Sequence, residues 1–274
     1  MRDLLKLVAK ALVFGVLVLF ACGIADMWQD FSAVRLLVRQ SFGMEEFSVQ
    51  MLGLIGTKFL ALFYFEIAEG NGIYSHFGTA SVYYFSRQMK KGRWYAVECG
   101  KLMLKCVIFS GIYLGTAGTI LSLARGGIEE GYFVLWAYQT IILSLWLYFN
   151  CLLMNALALL TDGVTGFFAV LALQAAEIGL LTLAASNGPI PIFWMVPKAE
   201  LAAHVTVMKL NPAFHLFLGW HSGDFRVLDA LETAYHPLIN LHAWESVCYF
   251  LVLSIAATIF GLFSVKTEVM LLKG

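Results

Sequence analysis

The feature that most constrains this chain is a series of six apolar runs, each long enough to cross a bilayer as a helix. They cover approximately residues 9–26, 47–68, 102–124, 132–159, 164–186 and 244–265. A spanning helix needs about 20 consecutive, mostly apolar residues. Only 13% of the residues are charged, whereas a soluble domain carries roughly 25%. The sequence therefore predicts an all-α polytopic membrane protein, with six transmembrane helices in a single domain over residues 1–274.

The positive charges indicate how these helices cross the membrane. More of the 18 lysines and arginines flank the side of the predicted bundle that holds both chain ends, and such residues mark cytoplasmic loops. We therefore expect both termini in the cytoplasm. Residues 1–10 are predicted to form a short interfacial helix, with Leu4, Leu5 and Val8 on one face and basic residues on another. The net charge is zero, which gives no electrostatic argument for nucleic acid as a partner.

Two hydrophilic segments connect the predicted spans, one on each side of the membrane. Residues 69–100 are expected in the cytoplasm and residues 187–243 outside. The external segment begins with SNGPIPIFWMVP, whose three prolines preclude a continuous helix. Its later apolar residues predict short amphipathic helices at the outer membrane surface: Leu216, Phe217, Leu218, Trp220, Val227, Leu228 and Leu231.

The cytoplasmic segment contains a dense group of cations in the stretch YYFSRQMKKGRWYAVECGKLMLK. Four of them lie within seven positions: Arg87, Lys90, Lys91 and Arg93. At helical spacing, Tyr83 and Trp94 fall beside these cations. Such a group fixes membrane orientation in many loops. A second interpretation is a short helix lying flat in the cytoplasm as a docking surface.

The order of these features resembles the ABC-2-type (type V exporter-like) permeases of bacterial ATP-driven exporters. In that family the second span is followed by Ser-Arg, a basic residue, an aromatic residue and a lysine that opens the third span. The matching positions here are Ser86, Arg87, Arg93, Trp94, Tyr95 and Lys101, with Gln88 replacing the usual proline. Six spans, a basic interfacial N-terminus, a broken external segment containing NPAFH and a charged tail also agree.

The resemblance implies a division of labour between subunits. Residues 79–97 would form the coupling helix that docks on a P-loop ATPase, through Ser86, Arg87, Lys90, Lys91, Arg93, Trp94 and Tyr95. The chain has no G-x-x-x-x-G-K-[ST] stretch, so ATP and Mg²⁺ are expected on the partner ATPase. We expect no catalytic site, cofactor or metal in this chain. Six spans make half of such a transporter, so a second permease copy in the bacterial plasma membrane is implied.

Three charged residues inside the predicted spans are candidates for the substrate path: Lys58, Glu66 and Glu177. Charge within a membrane is costly and marks function by default. Lys58 and Glu66 share a helix face about two turns apart, so a partner helix must complete each of them. Glu177 either lines the path or is a buried acid bonded to another span, with Asn150 and Asn155 as candidate partners. The aromatic-rich composition favours an amphipathic or hydrophobic cargo, such as an antimicrobial or modified peptide.

Small residues in the third span predict close helix packing. Gly111 and Gly115 form a GxxxG pair, and Gly118 follows one turn later. Such pairs let two helices approach closely. We expect this packing within one subunit rather than at a dimer seam.

Five histidines fall in the external segment: His204, His215, His221, His236 and His242. They lack the i,i+4 spacing or H-E-x-x-H motif of a zinc site, so we expect interfacial histidines. The sequence leaves two other functions open. One is an intramembrane enzyme that uses these histidines or Glu177, and the other is a non-transporting anchor that recruits a soluble partner through the basic helix.

Overall fold

The computed structural model shows a bundle of long helices. It describes residues 2–24, 33–41, 49–83, 91–125, 127, 130–187, 205–221, 223 and 241–271, and no strand occurs among these residues. The helices are α1 (Arg2–Ile24), α2 (Ala33–Gln40), α3 (Val49–Glu69), α4 (Gly72–Tyr83), α5 (Lys91–Arg125), α6 (Tyr132–Leu160), α7 (Gly163–Asn187) and α8 (Ala243–Leu271).

Four helices of the described chain are long and apolar enough to cross a membrane. They cover Lys91–Ala124, Tyr132–Leu160, Gly163–Leu181 and Ala243–Val265, and they coincide with the last four predicted spans. This confirms a mostly helical chain with several potential membrane-spanning helices. The spans predicted at 9–26 and 47–68 correspond to α1 and α3, whose membrane crossing stays a prediction.

α6 is the central helix of the bundle. It packs against α5, α7 and α8, and most of its side chains are buried, including Trp146, Leu147, Cys151 and Leu152. A helix that is apolar on every face can be buried on every face. The outer helices α7 and α8 instead expose many apolar side chains, as lipid-facing helices do.

The glycines of α5 allow α6 to approach closely, as the sequence predicted for packing within one subunit. The ring of Trp136 lies against Gly111 and Gly115, and the Tyr132 hydroxyl occupies the space beside Gly118. Trp136 Nε1 also donates a hydrogen bond to the Gly111 carbonyl at 3.0 Å. The GxxxG pair therefore receives aromatic side chains of the next helix.

Two helices begin earlier than the sequence patterns suggested. Residues 1–10 were expected to form a separate interfacial helix, but α1 is a single helix from Arg2 to Ile24, because the buried positions Leu7, Ala11 and Val18 continue one face without a break. The third span was expected to begin at residue 102, whereas α5 already begins at Lys91. Residues 91–97 of the predicted coupling helix therefore belong to α5, and residues 79–83 end α4.

The two ends of the bundle carry different structures. At one end, which we call the hairpin end, α4 and the first turns of α5 lie beside the α6–α7 turn. At the other, which we call the cap end, residues 205–221 lie beside Ser41 and α6: Leu218 N donates to the Ser41 carbonyl at 3.2 Å, and Gln139 Nε2 donates to the Leu216 carbonyl at 3.0 Å.

The cap corrects the prediction of amphipathic surface helices. Residues 212–216 and 218–220 form two short 3₁₀ helices, and the apolar residues Leu216, Phe217, Leu218 and Trp220 are all buried. Pro212 starts the first turn, capped by Asn211, whose side chain accepts from Ala213 N at 2.9 Å. A segment this apolar on all sides is stabilised by burial against the bundle. Val227, Leu228 and Leu231 lie outside the described residues.

Candidate functional site

The helical hairpin of α4 and α5 is the first candidate site. The two helices run antiparallel: the rings of Phe77 and Trp94 lie 6.0 Å apart between centroids. Glu98 of α5 accepts from Lys101 Nζ at 2.7 Å and contacts His76 Nδ1 of α4 at 3.1 Å. One carboxylate therefore joins both helices about two turns after the start of α5.

The base of the hairpin is fixed to the α6–α7 turn by two asparagines. Asn71 Nδ2 donates to the Gly163 carbonyl at 2.9 Å. The side chain of Asn155 accepts from Tyr74 N at 2.8 Å and donates to the Gly70 carbonyl. The two Asn155 bonds satisfy backbone groups at the α3–α4 turn and therefore stabilise the point where α3 ends and α4 begins.

The length of α5 is sufficient to carry the hairpin past the hydrophobic layer of a bilayer. Its 35 residues rise about 52 Å at 1.5 Å per residue, whereas the hydrocarbon core of a bilayer is about 30 Å thick. Nearer the bundle centre, Lys105 forms an ion pair of 2.6 Å with Glu69 at the end of α3. If the apolar part of α5 lies within the membrane, its first turns extend beyond the membrane together with α4.

The predicted docking residues occupy different positions on this hairpin. Arg93 is exposed, while Lys91 and Trp94 are half-buried. Tyr95 is 1% exposed, and its ring fills the space beside Gly261 of α8, so it offers no surface to a partner in this conformation. Three further predicted docking residues lie outside the described part of the chain: Ser86, Arg87 and Lys90.

The second candidate site is a set of polar side chains between α3 and α7. Glu66 of α3 is 2% exposed and accepts a hydrogen bond of 2.6 Å from Gln174 Nε2 of α7. This confirms the expectation that a partner helix must complete Glu66. Lys58, two turns before it on α3, is also buried. Buried polar groups need partners, and α7 supplies the partner of Glu66 through Gln174.

Glu177 lies one turn beyond Gln174 on the same helix. As an i,i+3 neighbour, it shares the helix face of Gln174. Asn155 is bonded to the α3–α4 turn, and the amide of the buried Asn150 has no hydrogen-bond partner among the described residues, so neither expected partner binds Glu177. The Glu177 Oε2 atom is likewise without a partner in the described chain.

Two of the histidines that were predicted to be external and interfacial are buried inside the protein, which corrects the prediction of an interfacial position for them. His215 and His221 are 3% and 0% exposed, and Ser246 at the start of α8 lies between them. Within the described chain, no group of three or more His, Cys, Asp or Glu is arranged to hold a metal ion. A hydrolytic role would require access to Ser246, whose side chain is fully buried.

Sequence reasoning did not single out three of the residues that complete these sites, Gln174, Asn71 and Ser246, and it named Asn155 only as a candidate partner of Glu177. One signal was available for Gln174, which lies three residues before Glu177 in an otherwise apolar run and so shares its helix face. Ser246 had no comparable signal, because its role depends on where the cap folds.

No protein-family model matches this chain, and comparison with curated proteins and with solved structures likewise gives no significant match.

Proposed function

We propose that this chain is the membrane-spanning permease subunit of an ATP-driven exporter of the ABC-2 type. In this proposal, α1, α3, α5, α6, α7 and α8 are the six spans, both termini are cytoplasmic, and a second copy completes the transporter. A separate P-loop ATPase binds ATP and Mg²⁺. The cargo is amphipathic or hydrophobic, with an antimicrobial or modified peptide as the favoured class.

The observation that carries the proposal is the braced hairpin of α4 and α5. A loop that only fixes orientation needs no internal structure. This connection instead has an aromatic pair, Phe77 and Trp94, a carboxylate shared by both helices and an asparagine-bonded base. Such a hairpin can transmit a push at its tip to α3 and α5, because both helices continue into the bundle.

The polar set between α3 and α7 supports a substrate path next to those same helices. Glu66, Gln174 and Glu177 place acceptors and an amide inside an otherwise apolar bundle, at a cost that a purely structural bundle avoids. Movement of α3 driven from the hairpin would change the contact between Glu66 and Gln174. Rocking of packed helices is a common way of switching access.

The test is co-purification from the native cells in mild detergent. The wild-type chain is expected to recover a P-loop ATPase, and the variant with Arg87→Glu and Arg93→Glu is expected to lose it. The matched control reverses two arginines of α2, Arg35→Glu and Arg39→Glu, at the cap end. It changes the same charge and should retain the ATPase.

Three results would distinguish the proposal from its competitors. Failure to recover an ATPase with the intact wild-type chain would overturn the permease assignment. Loss of the ATPase in both variants would show a nonspecific charge effect and remove the hairpin from the account. Recovery of an ATPase whose turnover stays indifferent to every added amphipathic peptide would favour an anchoring subunit over a transporter.

A further inference from the structure

The buried contact between the cap and α8 contains two imidazoles joined by one hydroxyl. Ser246 Oγ lies 2.9 Å from His215 Nδ1 and 2.9 Å from His221 Nε2. All three side chains are almost completely buried. We call these three side chains the His–Ser–His chain. Water is largely excluded from it, so the hydrogens that the three side chains carry decide which of the contacts are hydrogen bonds.

The outer nitrogens of the two rings face backbone carbonyls. His215 Nε2 lies 2.8 Å from the Lys209 carbonyl oxygen, and His221 Nδ1 lies 3.0 Å from the Phe217 carbonyl oxygen. A carbonyl only accepts, so each outer nitrogen must carry a hydrogen to make its bond. A neutral imidazole has one N–H, which leaves both inner nitrogens as bare acceptors facing Ser246.

Counting hydrogens shows that the neutral His–Ser–His chain has one hydrogen fewer than its contacts require. Its four short contacts require four hydrogens, whereas two neutral imidazoles and one hydroxyl supply three. In every arrangement of the neutral chain, two acceptors face each other at one contact. With one added proton, His215 Nδ1–H donates to Ser246, Ser246 donates to His221 Nε2, and both outer bonds are kept.

We propose that His215, Ser246 and His221 form a proton-binding site that takes up a single proton shared along the chain. The proton comes from the aqueous phase, and no other group changes its charge. This site is independent of the proposed transport function. It places one titrating charge where the cap meets the first turn of α8.

The surroundings of the chain determine which imidazole takes the proton. From α8, Glu245 and the ring of Tyr249 face His215, and Tyr249 stacks on it at 4.3 Å. Tyr138 of α6 lies edge-on to His221 at 5.4 Å. From the cap, Lys209 forms an ion pair of 3.2 Å with Glu245, which offsets its repulsion of a histidine charge. From α7, Glu177 lies near Tyr249.

Burial acts against a second proton. It lowers the pKa of His221 to about 3, helped by repulsion from His215. Burial also lowers the pKa of His215 below its ordinary value, while the bond to the Lys209 carbonyl and the charge of Glu245 oppose that shift. We therefore place the proton first on His215 Nδ1. Because Ser246 then donates to His221 Nε2, the ring signal of His221 should change at the same pH.

The experiment is a pH titration of the full chain in detergent micelles, with histidine ring nitrogens labelled with ¹⁵N. The signals of the two rings are assigned from His215→Gln and His221→Gln. In the wild type, both rings are expected to change with one common midpoint below about pH 6.5. If His215 titrates while His221 stays unchanged, or if neither ring changes down to about pH 4, below the range in which an ordinary histidine titrates, the proposal is overturned.

Ser246→Ala tests the link directly. It should lower the midpoint of His215 by roughly one pH unit, a tenfold loss of proton affinity, because the charged N–H loses its acceptor. His221 should then no longer report that transition. The matched control is Ser254→Ala, two turns along α8 and also buried, which should leave both rings as in the wild type. An unchanged shared midpoint in Ser246→Ala would overturn the chain, and the wild-type titration decides the case if that variant does not fold.

Discussion

The hydrogen bond between Glu66 and Gln174 makes a quantitative prediction for Gln174→Leu. Leucine has a similar size, so the change removes the donor while keeping the volume. Glu66 is 2% exposed, so solvent has little access to replace the 2.6 Å bond. Leaving a buried acceptor unpaired costs about 1–3 kcal/mol, whereas hydrogen bonds between membrane helices average about 0.6 and reach about 1.7 kcal/mol. Because this bond is short and involves a carboxyl group, we expect Gln174→Leu to lower the free energy of unfolding by about 1.5 kcal/mol.

The assay is reversible unfolding of the full chain in mixed micelles at increasing sodium dodecyl sulfate, followed by a double-mutant cycle with Glu66→Leu. Removing both partners should cost less than the sum of the two single changes. Gln139→Leu is the matched control, because Gln139 is equally buried but donates to the Leu216 carbonyl. Its cost should add to that of Glu66→Leu. A Gln174→Leu variant as stable as the wild type, or additive with Glu66→Leu, would refute the reasoning.

Three further changes test the fold around the hairpin. Asn155→Leu removes the bonds to Tyr74 N and to the Gly70 carbonyl and should lower the free energy of unfolding by about 2 kcal/mol, whereas an unchanged stability in the same unfolding assay would contradict the role of Asn155. Gly261→Ala places a methyl group against the Tyr95 hydroxyl and should cost about 1–3 kcal/mol, with the loss reduced in a Tyr95→Phe background and the idea rejected if it is not. Asp162 caps α7 through a hydrogen bond from the Thr165 hydroxyl and bonds from two backbone amides, which hold the pKa of its carboxyl below the ordinary value. The stabilisation by Asp162 is therefore present above about pH 4 and is lost as the pH falls through the depressed pKa. Asp162→Ala should lower the thermal unfolding temperature at pH 7, and this loss should shrink in acid. A loss that is the same at every pH would contradict this.

The sequence was sufficient to predict the long helices, because a helix in lipid has to satisfy its own backbone and needs about 20 apolar residues. The four candidate spans therefore begin or end close to the predicted limits. It also predicted that Gly111 and Gly115 pack within the chain. It did not predict that α5 begins at Lys91, since residues 79–97 were expected to form a separate coupling helix. The first turns of α5 are instead held against α4 by contacts such as Phe77 to Trp94.

The candidate site was only partly predictable for a related reason. Glu66 and Glu177 are conspicuous in apolar runs, but Gln174 becomes a partner of Glu66 only when α3 and α7 are placed side by side. The same holds for His215 and His221. Their spacing in the sequence carries no signal, and Ser246, 25 residues beyond His221, completes the chain only because the cap folds onto the first turn of α8.

The most direct test of the proposed permease is photo-cross-linking in intact membranes with a benzophenone amino acid at position 93, on the exposed face of the hairpin. Position 123 is the matched control, because Leu123 lies near the opposite end of the same helix and is 78% exposed. The account predicts that position 93 captures a P-loop ATPase identified by mass spectrometry and that position 123 does not. Capture of no ATPase from position 93, in membranes where the chain is folded, would contradict the claim that this hairpin docks one.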